Sequence, residues 1–170
     1  MENYTELPQV GFIEANKLAF TKIVDFKGRI RRSEFWWAIL GLSIIALLTT
    51  WIPFAGSAIA LAIALAQVSL TFRRLHDTNR SGWWIGGQII FGTLLVVLIF
   101  VIFGAAILSG DVDSINAEEL AANSIGSIIA LVIGYIIALI WEVVIIVFCC
   151  IDSDVETNKY GESPKYKANL

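Results

Sequence analysis

Four long apolar runs, separated by polar segments, dominate the pattern of the chain. They cover about residues 35–52, 54–72, 83–108 and 124–151. Each run is close to or longer than the ~20 residues with which an α-helix crosses ~30 Å of hydrocarbon. The pattern therefore predicts an all-α integral membrane protein with four transmembrane helices. A re-entrant hairpin of the first two runs is the alternative, and it is disfavoured because both runs are almost long enough to cross.

The segment before the first run has a helical apolar period instead of a continuous one. Its apolar face carries Phe12, Ala15, Ala19, Ile23 and Phe26. Its polar face carries Glu14, Lys17, Thr21 and Asp25. This pattern predicts an amphipathic helix in the membrane interface, with packing on the protein or on a partner subunit as the alternative. The chain thus divides into an N-terminal arm (1–34), a membrane domain (35–151) and a tail (152–170).

Serines and tryptophans mark the starts of two runs. Ser33 and Ser81 are candidate N-caps of the first and third spans, since a serine hydroxyl accepts from N–H groups of the first helical turn. Trp36 and Trp37 are expected at headgroup depth, where aromatic rings are favoured.

The composition agrees with a lipid environment. Of the 170 residues, 57% are apolar and 16% are charged, whereas a soluble domain carries about 25% charged residues. The net charge of -3 excludes a broadly basic nucleic-acid-binding protein. The adjacent Cys149 and Cys150 indicate neither a disulfide framework nor a metal site. The arm is charged throughout, so no secretory signal peptide is expected.

The positive charges predict the orientation. All 12 Lys and Arg residues lie in the arm, between the second and third runs, or in the tail. If all four runs cross the membrane, every positive charge lies on one side, which the positive-inside rule places in the cytoplasm. The N- and C-termini are therefore expected to be cytoplasmic.

Two dense groups of charge flank the first pair of runs. They consist of Arg29, Arg31, Arg32, Glu34, Arg73, Arg74, His76 and Asp77, here called the arginine cluster. A hairpin of the first two spans brings both groups to the same membrane surface. If the second helix continues, Arg73, Asp77 and Arg80 share a face, so that Asp77 can bond to a neighbouring arginine.

The arginine cluster has three interpretations. It can be a structural ion-pair network that also sets topology. It can bind an anionic headgroup or phosphate, as basic pockets between spans do. It can also catalyse acid–base chemistry through His76 and Asp77, although adjacent residues of a helix point in different directions. A zinc site needs three or four ligands, which one histidine does not supply. No nucleotide-binding, metalloprotease or hydrolase motif occurs, so neither an enzyme nor a cofactor is expected.

Glu142 lies inside the fourth run, near mid-bilayer, where a carboxylate is costly. Small residues precede it at four-residue spacing, namely Gly126, Ala130, Gly134 and Ala138. Such a face packs closely on another helix, and Gln67 and Gln88 lie at comparable depths. Glu142 is interpreted as a protonated structural carboxyl, as a proton or ion site, or as a contact with a partner protein. A four-span transporter would need a homo-oligomer, for which Ala58, Ala62 and Ala66 offer a second small-residue face.

Three segments resemble signatures of a bacterial family, the domain of unknown function 805. They are FKGRIRRSEFW (26–36), FRRLHDTNRSGWW (72–84) and NKYGESP (158–164). The resemblance implies a small bacterial inner-membrane protein without a settled activity. The acidic segment 109–123 sets the third and fourth spans unusually far apart for this family. Glu142 belongs to none of its motifs.

These observations lead to one main hypothesis. The protein is expected to be a non-enzymatic protein of the bacterial envelope that binds anionic lipid or a protein partner through the arginine cluster. The alternative is a transporter or channel component that uses Glu142. A membrane enzyme that depends on His76 is the third possibility.

Overall fold

The computed structural model describes residues 4–52, 55–108 and 117–169, without the side chains of 102–108 and 117–124. The described residues form helices and two short strands. The helices are α1 (Phe12–Thr21), α2 (Arg32–Thr49), α3 (Ala55–Asp77), α4 (Trp83–Leu108) and α5 (Ala117–Cys150). The strands are β1 (Tyr4–Glu6) and β2 (Tyr166–Ala168).

Four of the described helices contain stretches long and apolar enough to cross a membrane. These are Arg32–Thr49, Ala55–Asp77, Trp83–Val101 and Ile125–Cys150. In the third stretch no residue is buried inside the protein. Such apolar surface is stable in lipid, which solvates it without the hydrophobic penalty of water. The prediction of an all-α protein with four transmembrane helices is confirmed.

The helices extend beyond the apolar runs at several ends. α2 begins at Arg32, α3 continues to Asp77, and α5 begins at Ala117, whereas the runs start or end at 35, 72 and 124. An apolar run indicates only the part of a helix that lipid surrounds. The helix itself extends through polar residues wherever its backbone hydrogen bonds continue. The arginines and the carboxylate after the second run are therefore helical residues.

One of the two predicted N-caps is wrong. Arg31 precedes the first residue of α2, and no side chain caps this helix. Ser33 lies inside the first turn, and its buried Oγ has no hydrogen-bond partner among the described residues. By contrast, the Oγ of Ser81 accepts a hydrogen bond from the N–H of Trp83 at 3.3 Å, as expected of a cap at the start of α4.

The structure divides into two compact units. The first holds the residues up to Ile85 and those from Ile146 onward, and the second is Gly86–Ile145. In the first unit α1 packs on α2 and α3, and α2 packs on α3. In the second unit the rings of Phe91 and Trp141 stack, with their centroids 6.2 Å apart.

The face by which α1 packs contains part of the predicted apolar face. Ala15 and Ala19 are buried, and the Nδ2 of Asn16 donates to the carbonyl oxygen of Trp37 at 3.1 Å. Gly41 of α2 makes this approach possible, because a Cβ there would lie 1.9 Å from the Oδ1 of Asn16. The face with the two alanines thus packs on the protein and not on lipid.

The two ends of the chain meet. β1 and β2 pair antiparallel, with Tyr4 opposite Ala168 and Glu6 opposite Tyr166. The N–H of Leu7 continues the pairing by donating to the carbonyl oxygen of Lys165 at 2.8 Å. The first and the last described strands of the chain are therefore neighbours.

Candidate functional site

Asp77, at the end of α3, is the centre of a buried polar network. Its side chain is fully buried. The Nε of Arg29 lies 3.0 Å from Oδ1, the Oγ of Ser153 donates to Oδ2 at 2.5 Å, and Arg74 also forms an ion pair with Oδ2. A buried carboxylate is tolerated only when it is paired and hydrogen-bonded, and this one has two cations and a hydroxyl.

Arg74 joins α3 to the end of α5. Its Nε donates to the carbonyl oxygen of Cys149 at 3.0 Å, and its Nη2 donates to that of Ile151. A third bond runs from Nη1 to the carbonyl oxygen of Ile30 at 3.2 Å. The last carbonyls of a helix lack intrahelical partners and carry partial negative charge. Arg74 therefore caps the C-terminus of α5 with a buried cation.

Arg29 holds the tail in the same way. Its Nη2 donates to the carbonyl oxygen of Asp154 at 2.6 Å, and its Nη1 to those of Glu156 at 2.8 Å and Gly161 at 3.1 Å. Only 1% of its side chain is exposed. Arg29, Arg74 and Asp77 together form what is here called the sealed hub, because protein atoms occupy their polar groups.

His76 contacts the tail on the other side of α3. Its Nδ1 lies 3.2 Å from the carbonyl oxygen of Gly28, and since a carbonyl can only accept, Nδ1 carries the proton. The ring stacks on Tyr160, with centroids 3.7 Å apart and an interplanar angle of 8°. Asn158 donates from Nδ2 to the backbone oxygen of His76 at 2.9 Å. His76 and Asp77 thus have separate sets of partners and form no dyad in this structure.

Arg73 is the least satisfied arginine of the cluster. It is 4% exposed, and its Nη2 has no hydrogen-bond partner among the described residues. Its Nε makes one long bond of 3.4 Å to the carbonyl oxygen of Ser69, on the same helix. Asp25 and Glu34 lie within electrostatic range of its guanidinium. The predicted face of Arg73, Asp77 and Arg80 does not form, because α3 ends at Asp77.

Arg80 instead lies beyond α3, where its guanidinium stands 4.3 Å from the ring centroid of Phe148. Asn79 before it has a φ of 56°, which breaks the helix. The partners of Asp77 are therefore Arg74, one turn earlier, and Arg29, from the arm.

Arg31 and Arg32 lie where the arm, α2 and the tail meet. Arg31 is buried and pairs with Glu6, with 3.1 Å between Nη2 and Oε1. Its Nη1 also donates to the carbonyl oxygens of Leu7 and Pro8 at 3.1 and 3.0 Å. Arg32 is exposed and donates from Nη1 to the carbonyl oxygen of Cys150 at 3.3 Å. No carboxylate among the described residues lies within ion-pair distance of Arg32.

A small cavity of about 60 Å³ adjoins these two arginines, and we call it the arm–tail cavity. Its charged and hydroxyl-bearing lining residues are Glu6, Arg31, Arg32, Ser33, Asp152 and Lys165. The Nζ of Lys165 lies 2.5 Å from the Oδ2 of Asp152. This bond holds the pKa of the Asp152 carboxyl below its usual range and raises the pKa of Lys165.

Sequence reasoning missed the tail residues of this region. Ser153, Asn158 and Tyr160 bond to or stack on residues at the C-terminal end of α3. Glu6, from the arm, and Lys165, from the tail, line the arm–tail cavity. The segment 158–164 was a recognisable signal, but nothing in the sequence indicated which residues it would contact.

Glu142 belongs to the second unit. Its Oε2 accepts a hydrogen bond from the Nε2 of Gln88 on α4, while Gln67 belongs to α3 in the first unit. Of the small residues that precede Glu142, Gly134 approaches α4 closely, since a Cβ there would lie 2.6 Å from the Cδ2 of Leu95. Gln88 is thus the predicted partner that the structure joins to this carboxylate.

Comparison with known proteins agrees with this architecture. The chain is 29% identical over 154 residues to the inner membrane protein YhaI of Escherichia coli K12, covering 86% of this chain and 91% of that protein. It is 36% identical over 73 residues to the inner membrane protein YhaH of the same strain, covering 36% of this chain and 60% of that protein. No solved structure matches it. A family model described as "Protein of unknown function (DUF805)" matches residues 23–162, and the chain therefore belongs to this family of membrane proteins.

Proposed function

We propose that this protein binds anionic phospholipid at the cytoplasmic membrane surface, without enzymatic activity, through the open part of the arginine cluster. The observation that carries the proposal is the state of Arg32. It is exposed, it stands at the start of a transmembrane helix, and no described carboxylate pairs with it. A cation in this position attracts anionic headgroups with about 1 kcal/mol.

The surroundings of Arg32 support a position at headgroup depth. Trp36 and Trp37 follow within the next turns of α2 and are partly exposed, and tryptophan is enriched at the membrane–water interface. The outer side of α1 adds exposed apolar residues beside α2, including Ile13 and Phe20. Lipid headgroups can therefore reach Arg32 from the bilayer.

The sealed hub has a different role in this proposal. The N–H groups of Arg29 and Arg74 donate to Asp77 and to backbone carbonyl oxygens. These bonds hold the C-terminal ends of α3 and α5 and the tail together. Because a lipid phosphate would have to displace these internal bonds, we expect the hub to act only as the scaffold that presents Arg32.

The test is recovery of native lipid with the purified protein. The chain is extracted in mild detergent, and the co-purifying phospholipids are quantified by mass spectrometry. Arg32→Gln is expected to lower the ratio of anionic to zwitterionic phospholipid severalfold. Lys159→Gln is the matched control, because it removes one exposed positive charge from the tail outside the arm–tail cavity.

Equal lipid ratios in the native chain, Arg32→Gln and Lys159→Gln would refute the proposal. Circular dichroism and gel-filtration profiles identical to those of the native chain exclude misfolding as the cause of any loss. A protein partner bound through Arg32 in place of lipid would appear as Arg32-dependent co-purification of protein with an unchanged lipid ratio, which also refutes lipid binding.

The pair of Glu142 and Gln88 favours a second candidate function. An exposed carboxylate inside a transmembrane helix, bonded to one amide, is the kind of group that marks an ion or proton pathway. A channel or transporter of four spans would require a homo-oligomer. Proton or cation flux in proteoliposomes that disappears in Glu142→Gln would support this function, whereas the absence of flux from the native chain would refute it.

A further inference from the structure

We propose that the arm–tail cavity is a specific seat for one phosphate group, of a phospholipid or of a soluble phosphate ester. This inference rests on the proposed function in that Arg32 is shared. It adds to that function a defined binding site, in which particular side chains donate hydrogen bonds to the phosphate oxygens. Those donors are the guanidinium of Arg32, the ammonium of Lys165 and, after rotation of its side chain, the hydroxyl of Ser33. Arg31 adds positive charge to the lining and keeps its own bonds to Glu6, Leu7 and Pro8.

The size of the cavity suits this group. Its volume of about 60 Å³ is small, since the pockets of drug-sized ligands measure roughly 300–1,000 Å³. A tetrahedral oxyanion is of this size, whereas a nucleotide or a sugar is far larger. A cavity of this size admits one compact group such as a phosphate and leaves the remainder of its ester outside.

The charges around the cavity are unequal. Arg31 is paired with Glu6 and Lys165 with Asp152, so these four groups cancel. Arg32 has no ion-pair partner among the described residues, so the lining carries one more positive than negative group. An anion with one negative charge, such as a phosphodiester, would restore neutrality, and guanidinium is the cation that recognises phosphate oxygens with paired donors.

Two uncharged groups of donors at this cavity, the Ser33 hydroxyl and the first N–H groups of α2, also lack hydrogen-bond acceptors in the described part of the chain. The buried Oγ of Ser33 has no hydrogen-bond partner among the described residues, and a buried hydroxyl without a partner is costly. In addition, no side chain caps the 18-residue helix α2, so its first N–H groups lack acceptors and carry partial positive charge. A phosphate held beside Ser33, after rotation of that side chain, would satisfy both.

Another cavity of the first unit does not compete for such a ligand. It measures about 390 Å³ and is lined by Asn79 and residues 154–158. Its charged lining residues are Asp154 and Glu156, which repel an anion. The positive charge and the unpartnered hydroxyl coincide at the arm–tail cavity.

The experiment uses the full chain in detergent micelles and titrates it with inorganic phosphate, followed by calorimetry. Saturable binding is expected. Arg32→Gln and Ser33→Ala should each weaken it about tenfold, since a hydrogen bond to a charged group contributes at least that factor. Lys159→Gln should leave it unchanged. Ser33→Ala changes a single oxygen within a helix, so that it also serves as the variant least able to disturb folding.

A second arm distinguishes the source of the phosphate. Nanodiscs are prepared with phosphatidylglycerol or with an anionic amphiphile that has a carboxylate headgroup. If phosphatidylglycerol blocks the binding of inorganic phosphate and the carboxylate amphiphile does not, the seat belongs to a lipid headgroup. If neither blocks it, the seat belongs to a soluble phosphate ester.

The seat is refuted if inorganic phosphate does not bind, or binds equally well to the native chain, Ser33→Ala and Arg32→Gln. This failure differs from failure of the proposed function. Anionic lipid that still co-purifies through Arg32, for both headgroup types and without need of Ser33, would keep the lipid-binding function and reject the seat.

Discussion

The sealed hub and the arm–tail cavity contain the same kinds of residue but differ in what surrounds them. In the hub, Arg29 and Arg74 are buried against Asp77 and against carbonyl oxygens at the ends of two helices. At the cavity, Arg32 is exposed, makes one bond to a carbonyl and has no described carboxylate partner. The available acceptors, and not the arginine itself, therefore decide whether an arginine supports the fold or offers a binding group.

The largest expected effect comes from the centre of the hub. Asp77→Asn leaves Arg29 and Arg74 buried without their carboxylate, and breaking a buried pair by removing one partner costs about 3–5 kcal/mol. Thermal unfolding in detergent, followed by circular dichroism, should show a strongly lowered midpoint. The exposed Glu162→Gln is the matched control. An unchanged midpoint for Asp77→Asn would mean that the hub does not stabilise the fold.

Removing one arginine from each region tests the difference between the hub and the cavity directly. Arg74→Gln removes the buried cap of α5 and should cost about 3 kcal/mol or more, whereas Arg32→Gln should lie within about 0.5 kcal/mol of the native chain. Both changes remove one positive charge, so that net charge does not explain a difference. Equal unfolding midpoints for the two variants would contradict the division into hub and cavity.

A smaller effect is expected where the tail enters the hub. Ser153→Ala removes the hydroxyl that donates to Asp77 at 2.5 Å, and a hydrogen bond to a charged group contributes about 1.5–3 kcal/mol. Amide hydrogen exchange of residues 153–163 should accelerate, because the tail loses one of its attachments. Exchange in Ser153→Ala that matches the native chain throughout the tail would show that the attachments through Arg29, Asn158 and Tyr160 suffice to hold it.

The smallest expected effect is a pH dependence at the cavity. The bond to Lys165 lowers the pKa of Asp152 in the folded state. Since the unfolded chain takes up this proton first as pH falls, the stabilisation is fully present above about pH 5 and is lost as pH drops through the lowered pKa. The pair is partly exposed, so its contribution is about 0–1 kcal/mol.

Unfolding midpoints measured between pH 3 and pH 6 test this dependence. Asp152→Asn and Lys165→Gln should both flatten the curve in this range by similar amounts. If only Asp152→Asn does so, its carboxylate is stabilised by groups other than Lys165. The N–H of Ser153, which donates to Oδ1 at 2.9 Å, and the charge of Arg32 are the candidates.

Much of this molecule followed from the pattern of its residues. The four apolar runs predicted the four transmembrane helices, because a membrane requires about 20 apolar residues and a backbone that satisfies its own hydrogen bonds. The location of the charged groups on both sides of the first two runs also indicated that they meet. Segment 26–36 and segment 72–84 indeed contribute Arg29 and Arg74 to one network.

The sequence alone could not assign a partner to each charge. It treated Arg73 and Arg74 alike, although adjacent residues of a helix face different surroundings, and only Arg74 reaches the end of α5. It also named Ser33 as a cap, although the start of α2 at Arg32 moves that hydroxyl into the first turn. Hydrophobic periodicity locates a helix well and locates its last residues poorly, because polar ends depend on partners distant in sequence.

The membrane environment, the number of spans and the crowding of arginines at one surface thus follow from the sequence, since apolar length and charge distribution are local properties. Tertiary structure decided which arginines are sealed and which one is left open. That division depends on carbonyl oxygens at the ends of α5 and in the tail, which are more than seventy positions away from Arg74 and Arg29 in the chain. Every residue has a backbone carbonyl, so the sequence does not indicate which carbonyls will accept these bonds. Their positions are set only when the chain folds.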